Sequence, residues 1–135
     1  MPDVVFKKVE TIQRCLNRIR EEYIGFEESF ESDYTKQDSV ILNLERASQA
    51  SIDIATHIIK VKRLGLPNSS RELFEILSNA GIISEDISRQ MQGMVGFRNI
   101  AVHDYQNLNL EIVISIVEKH LKDFEQFTQE VLATY

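Results

Sequence analysis

Between Val95 and Asn109 the apolar pattern of the chain breaks down, and Arg98, Asn99, His103, Asp104 and Tyr105 collect just after Gly96. This is the stretch whose side chains offer chemistry. Histidine, with an unperturbed pKa of about 6.5, exchanges protons at neutral pH, and the forked donors of arginine match the oxygens of a phosphate. The two together meet the needs of metal-independent cleavage of an RNA phosphodiester. One takes the proton from the ribose 2′-hydroxyl, and the other stabilises the crowded, negatively charged phosphorus centre. Asn99 can orient the imidazole or donate to a phosphate oxygen. Taken alone, an arginine five residues before a histidine is a pattern that chance produces often, and the bare spacing fits a surface arginine and a helix-ending histidine better.

The backbone decides whether these groups meet. In a continuous helix Asn99 and His103 share one face and Arg98 and Tyr105 another, while Arg98 and His103 point well apart. The arrangement that gathers all three reactive groups is a helix bearing Arg98 that ends near His103, with the chain leaving extended.

The rest of the sequence supplies helices to hold that segment. With Asp3 as N-cap, Val5, Val9, Ile12, Leu16, Ile19 and Tyr23 form the buried stripe of a long first helix. Gly25 weakens its end, and residues 27–35 read as a frayed exit and connector. A second stripe runs through Val40, Ile41, Leu44, Ala47, Ala50, Ile54, Ile58 and Val61 until Gly65-Leu66-Pro67-Asn68 interrupts it. Ser69 and Glu72 have the spacing of a capping box, opening a short helix that Gly81 closes. Ser84 caps the next helix, which carries Ile87, Met91, Met94 and Val95 toward the reactive segment. A last helix starts near Asn109 and places Val113, Ile116, Val117, Leu121, Phe124, Phe127 and Val131 on one face. The expected fold is all-α, an up-down four-helix bundle with an additional short helix, in a single domain covering residues 1–135.

Composition narrows the function. The chain of 135 residues has only two prolines, five glycines and no tryptophan, too little turn material for a sandwich or barrel of strands. Cys15 is the sole cysteine, so it is read as a core filler and a reducing compartment is expected. No secretory signal or membrane-spanning stretch is apparent, and the protein is expected to be cytoplasmic with no membrane partner. A net charge of −6 argues against indiscriminate nucleic-acid binding, so any RNA site must be local. Residues 57–103 are mildly basic, with six lysines and arginines against four acids, and the tail is acidic. The histidines at 57, 103 and 120 lack ligand spacing, so neither metal nor cofactor is expected. His57 and His120 read as core or dimer histidines, and Arg46 either reaches the site or pairs with Asp53 or Glu45.

The whole segment from Met94 to Tyr105, MVGFRNIAVHDY, closely resembles the signature of HepT-like toxins of the HEPN superfamily. In that family an arginine, a polar residue, three mostly apolar residues, a histidine, one more residue and a tyrosine follow a glycine-aromatic pair. The likeness extends to ILNLERA at 41–47 with Asp53 and His57, to Gly65-Leu66-Pro67, and to FEIL at 74–77 with Gly81-Ile82. The resemblance implies a HEPN fold in a homodimer whose paired Arg98 and His103 line a shared cleft for RNA. It implies an endoribonuclease toxin of a toxin–antitoxin system, with Arg98 and His103 catalytic and Asn99 supporting. It further implies a minimal nucleotidyltransferase (MNT) antitoxin as partner, which transfers AMP onto Tyr105. Charge and bulk added beside His103 obstruct the substrate phosphate without a change of fold. A non-catalytic HEPN subunit that binds nucleotide or presents substrate to a transferase is the alternative that the resemblance leaves open.

Overall fold

The six residues of the first stripe, Val5 through Tyr23, are all buried along one face of a single helix, α1 (Pro2–Tyr23), in a computed structural model describing residues 2–135. Asp3 lies inside its first turn rather than capping it, because Pro2 already occupies a helical position whose missing N–H costs nothing there. Gly25, at φ 88°, takes the left-handed conformation that stops the helix. The connector is more ordered than its polar composition implies. Phe30, in a 3-10 turn at Phe30–Ser32, is fully buried and meets the Tyr23 ring edge-on at 5.0 Å. Gln37 donates to the carbonyls of Phe30 and Glu31 at 2.8 and 2.9 Å, closing the turn.

Helix α2 (Tyr34–Lys62) starts on Asp33, whose carboxylate accepts from the Lys36 N–H at 3.1 Å. Its stripe is buried from Val40 to Ile58, but Val61 is exposed. The helix also ends earlier than Gly65 suggests, at Lys62. Arg63 adopts the left-handed conformation (φ 55°), and the Leu64 N–H reaches back to the Ile59 carbonyl at 3.0 Å while Leu64 packs on the core.

In α3 (Ser70–Asn79) the Ser69 hydroxyl accepts from the Glu72 N–H at 3.2 Å, and Glu72 accepts from Asn68 rather than from Ser69. Helix α4 (Glu85–His103) is capped by Ser84, whose backbone N–H also donates to Glu130 at 2.6 Å and ties the start of the helix to the last one. Ile87, Met91, Met94, Val95, Phe97 and Ala101 bury its inner side.

The long last helix is in fact two, α5 (Leu110–Lys119) and α6 (Leu121–Leu132), after a second 3-10 turn at Tyr105–Asn107. The backbone leaves helical geometry at His120 (φ −125°, ψ 0°), and the His120 ring is held by Asp123 at 2.8 Å. The apolar stripe runs through the break in register, so every predicted core position from Val113 to Val131 is buried. α1 and α2 pack as the main helix pair, α4 lies against α2, α3 and α6, and α1 also touches α5 and α6. The architecture is therefore the expected all-helical bundle with α3 as the short addition, its fourth long element divided. Buried residues of all six helices join in one core that includes Phe74 and Phe127, edge-on at 5.7 Å.

Candidate active site

Helix α4 runs unbroken through Arg98 to His103, because Phe97 and Ala101 keep its inner face anchored to the core up to its last turn. At about 100° per residue, five residues set the two side chains about 140° apart around the helix. His103 is exposed and Arg98 half-buried. The Arg98 Nη1 donates to the Asn99 side-chain oxygen at 3.2 Å, and its Nε is buried with no hydrogen-bond partner among the described residues. Asn99 thus holds the guanidinium rather than the imidazole within one chain. An unsatisfied buried donor of this kind costs about 1–3 kcal/mol, and such donors are rare enough in folded proteins to demand an explanation.

The chain does not leave α4 extended. Asp104 (φ −148°, ψ 48°) turns it into the Tyr105–Asn107 turn, and the Asp104 carboxylate closes that turn by accepting from the Asn107 amide at 2.9 and 3.0 Å. Tyr105 is consequently directed at α2, where its hydroxyl donates to the carboxylate of Asp38. Partial burial of the ring, and then the bond to Asp38 and its negative charge, push the phenol up to about 12. Arg98, His103 and Tyr105 therefore occupy one end of α4 but point three ways within a single chain.

An apolar groove of about 390 Å³ lies beside this end, between α4 and α5, lined by Gly93, Met94, Phe97, Ile100, Ile112 and Ile116 among others. Ile100 and Ile112 are 43% and 51% exposed. Ile100, one helical turn before His103, carries the wall of the groove toward the end of α4. His120 also lines it, at the α5–α6 junction. His57 is half-buried on α2.

Asp38, the partner of Tyr105, is a residue that sequence reasoning missed, as are Arg14 and Arg18. The last two line a cleft of about 600 Å³ between α1 and α2 with Asp38, Asn43 and Arg46. Asp53, the sequence-level partner for Arg46, is taken by Lys8 at 3.0 Å and Gln49 at 2.9 Å. The buried Cys15 thiol forms part of the cleft wall, and burial raises its pKa, in keeping with a core filler. Arg14 and Arg18, one turn apart on α1, hinted at a shared face, but Glu10 and Glu22 one turn beyond them read as an ordinary exposed ladder.

A family model described as ribonuclease HepT-like matches residues 12–131. The chain is 50% identical over 133 residues to the mRNA nuclease HepT of Shewanella oneidensis, a match covering 98% of this chain and 99% of that protein. It is 24% identical over 131 residues to the tRNA nuclease HepT of Aphanizomenon flos-aquae, covering 96% and 88% of the two chains. Among solved structures, a tri-AMPylated Shewanella oneidensis HEPN toxin in complex with its MNT antitoxin superposes with a TM-score of 0.93 and 49% identity, over 98% of this chain and 99% of that one.

Proposed function

The chain belongs to the ribonuclease HepT-like family, and from that membership we propose that it is the toxin of a toxin–antitoxin pair, a metal-independent endoribonuclease silenced by AMP transfer onto Tyr105. The observation that carries the reading is an intact Arg98-x4-His103-x-Tyr105 segment at the exposed end of α4 in a chain half identical, end to end, to a named mRNA nuclease. His103, exposed to solvent, serves as general acid and base. Arg98 supplies the cation that stabilises charge at phosphorus, with Asn99 steadying its guanidinium.

One chain alone leaves Arg98 and His103 on different sides of α4, so the site calls for a second copy. The α4–α5 groove, apolar and walled in part by Ile100 one helical turn before His103, is the surface we assign to that homodimer contact. Two copies joined there double the local positive charge, which a chain of net charge −6 needs in order to hold RNA. The residues from 1 to 135 then act as one domain. No described helix is long and apolar enough to cross a membrane, and a cytoplasmic location suits a partner that consumes nucleoside triphosphate.

The partner is an MNT antitoxin. In the transfer, a bond forms between the phenolic oxygen of Tyr105 and the α-phosphorus of ATP, the α–β phosphoanhydride bond breaks, and pyrophosphate leaves. Asp38, already accepting the phenolic hydrogen, stands where the proton departs. The decisive experiment incubates purified protein with cellular RNA in chelator. Cleavage is expected, with His103→Ala and Arg98→Ala each lowering the rate by roughly 10²–10⁴-fold while helical content is retained. Nucleotide binding without cleavage would instead identify a helper subunit of a transferase.

A further inference from the structure

The cleft between α1 and α2 has a volume of about 600 Å³, within the roughly 300–1,000 Å³ common to small-molecule sites. Its charge is unusual for an acidic protein. Arg14 and Arg18 enter it from α1 and Arg46 from α2, and among the described residues none of the three makes an ion pair or hydrogen bond. Two carboxylates on the same helices are held by lysines. Glu22, one turn from Arg18, is drawn to Lys36, and Asp53 to Lys8. Like charges one turn apart destabilise a helix unless something answers them.

Among the described residues the single carboxylate lining the cleft is Asp38, and its partner is the hydroxyl of Tyr105. That contact places the phenol at the lip of the arginine cleft, on the side of the molecule facing α2. We propose that this cleft is a nucleotide-phosphate seat, in which Arg14, Arg18 and Arg46 hold the AMP chain carried on Tyr105. The inference rests on the reading of Tyr105 as the acceptor of AMP.

The consequences follow from charge. Once the phenolic oxygen is esterified it has no hydrogen to give, so the latch to Asp38 opens, and the new phosphodiester stands beside a carboxylate that repels it. Three guanidiniums, each suited to two-point contact with phosphate oxygens, offset that repulsion and draw the chain inward. Each AMP unit adds one negative charge, so three arginines neutralise as many as three units. The tether supplies a high effective concentration, which lets exposed arginines hold a ligand they would bind weakly when free. The modified tyrosine is then an ordered element beside the active end of α4 rather than a loose appendage.

The test uses full-length protein modified by ATP and the cognate transferase. Intact mass with peptide mapping first establishes how many AMP units stand on Tyr105; if none do, the reading of Tyr105 fails and the seat with it. Modified wild type and the Arg14→Gln/Arg18→Gln/Arg46→Gln variant are then exposed to a phosphodiesterase. Release of AMP is expected to be at least tenfold faster from the variant; equal rates at equal AMP count overturn the proposal while leaving the modification reading intact. If the variant keeps its AMP protected but loses RNA cleavage when unmodified, the cleft serves the substrate and the proposal is likewise overturned. Modified wild type alone gives a second measurement: its phosphodiester ³¹P resonance should move as salt is raised to about 1 M, where charge interactions at the surface are screened, and an unmoved resonance refutes the seat.

Discussion

Replacing Asp38 with asparagine removes the charge from the side chain that accepts the Tyr105 hydrogen bond while keeping a hydrogen-bond acceptor of similar size. In the wild type the phenol is pushed up to about 12 from an ordinary value of 10.0, by burial first and then by the bond and charge of Asp38. The substitution leaves burial in place and deletes the charge. The Asp38→Asn phenol should therefore titrate below 12 but above 10. At pH 11 a phenol of pKa 12 is about one tenth ionised and one of pKa 10 about nine tenths, so the phenolate absorbance difference between the two proteins is readily measured, with Tyr105→Phe marking the residue responsible. The linkage has a definite sign. A phenol whose pKa is raised on folding adds stability that is fully present below pH 10 and is lost as pH rises through 12. Two units correspond nominally to about 2.7 kcal/mol, but Tyr105 is 47% exposed, and solvent screening brings an exposed pair to about 1 kcal/mol or less. Asp38→Asn should thus lower the melting temperature by up to about 3 °C at pH 8, with the gap closing toward pH 12. A phenol that still titrates at 12 in the variant would refute the contact.

Three further outcomes are expected. Ile100→Asp, which sets a charge in the α4–α5 groove, should yield monomers by sedimentation and lose RNA cleavage without loss of helix; an unchanged dimer would move the interface elsewhere. Phe127→Ala, at a fully buried position stacked edge-on with Phe74, should cost about 3–5 kcal/mol in urea unfolding, and a cost under about 1 kcal/mol would contradict the packing. Gly96→Ala brings a methyl to 2.6 Å from the Arg71 Nη2, the far end of a flexible side chain, so the arginine should swing away. Stability should then hold or rise by up to about 1 kcal/mol, because alanine suits a helix interior better, and a clear loss in the same urea assay would show Arg71 to be pinned.

By itself the sequence determined most of what depends on neighbours along the chain. The stripes of α1, α2 and α4, the serine caps at Ser69 and Ser84, and the gathering of Arg98, His103 and Tyr105 after Gly96 are written in spacings of three to five residues, and helical periodicity is a local property. Where local rules gave two answers, the fold chose. α2 stops at Arg63 rather than Gly65 because Leu64 is drawn onto the core, and α5 and α6 part at His120 although the apolar register never falters, since a stripe records which residues are buried and not whether the axis bends. The turn at Asp104, the bond from Tyr105 to Asp38, and the meeting of Arg14 and Arg18 with Arg46 were decided only in three dimensions. Those partners lie tens of residues apart, and nothing in either local pattern requires the other; only the packing of α1 and of the α4 exit against α2 brings them face to face.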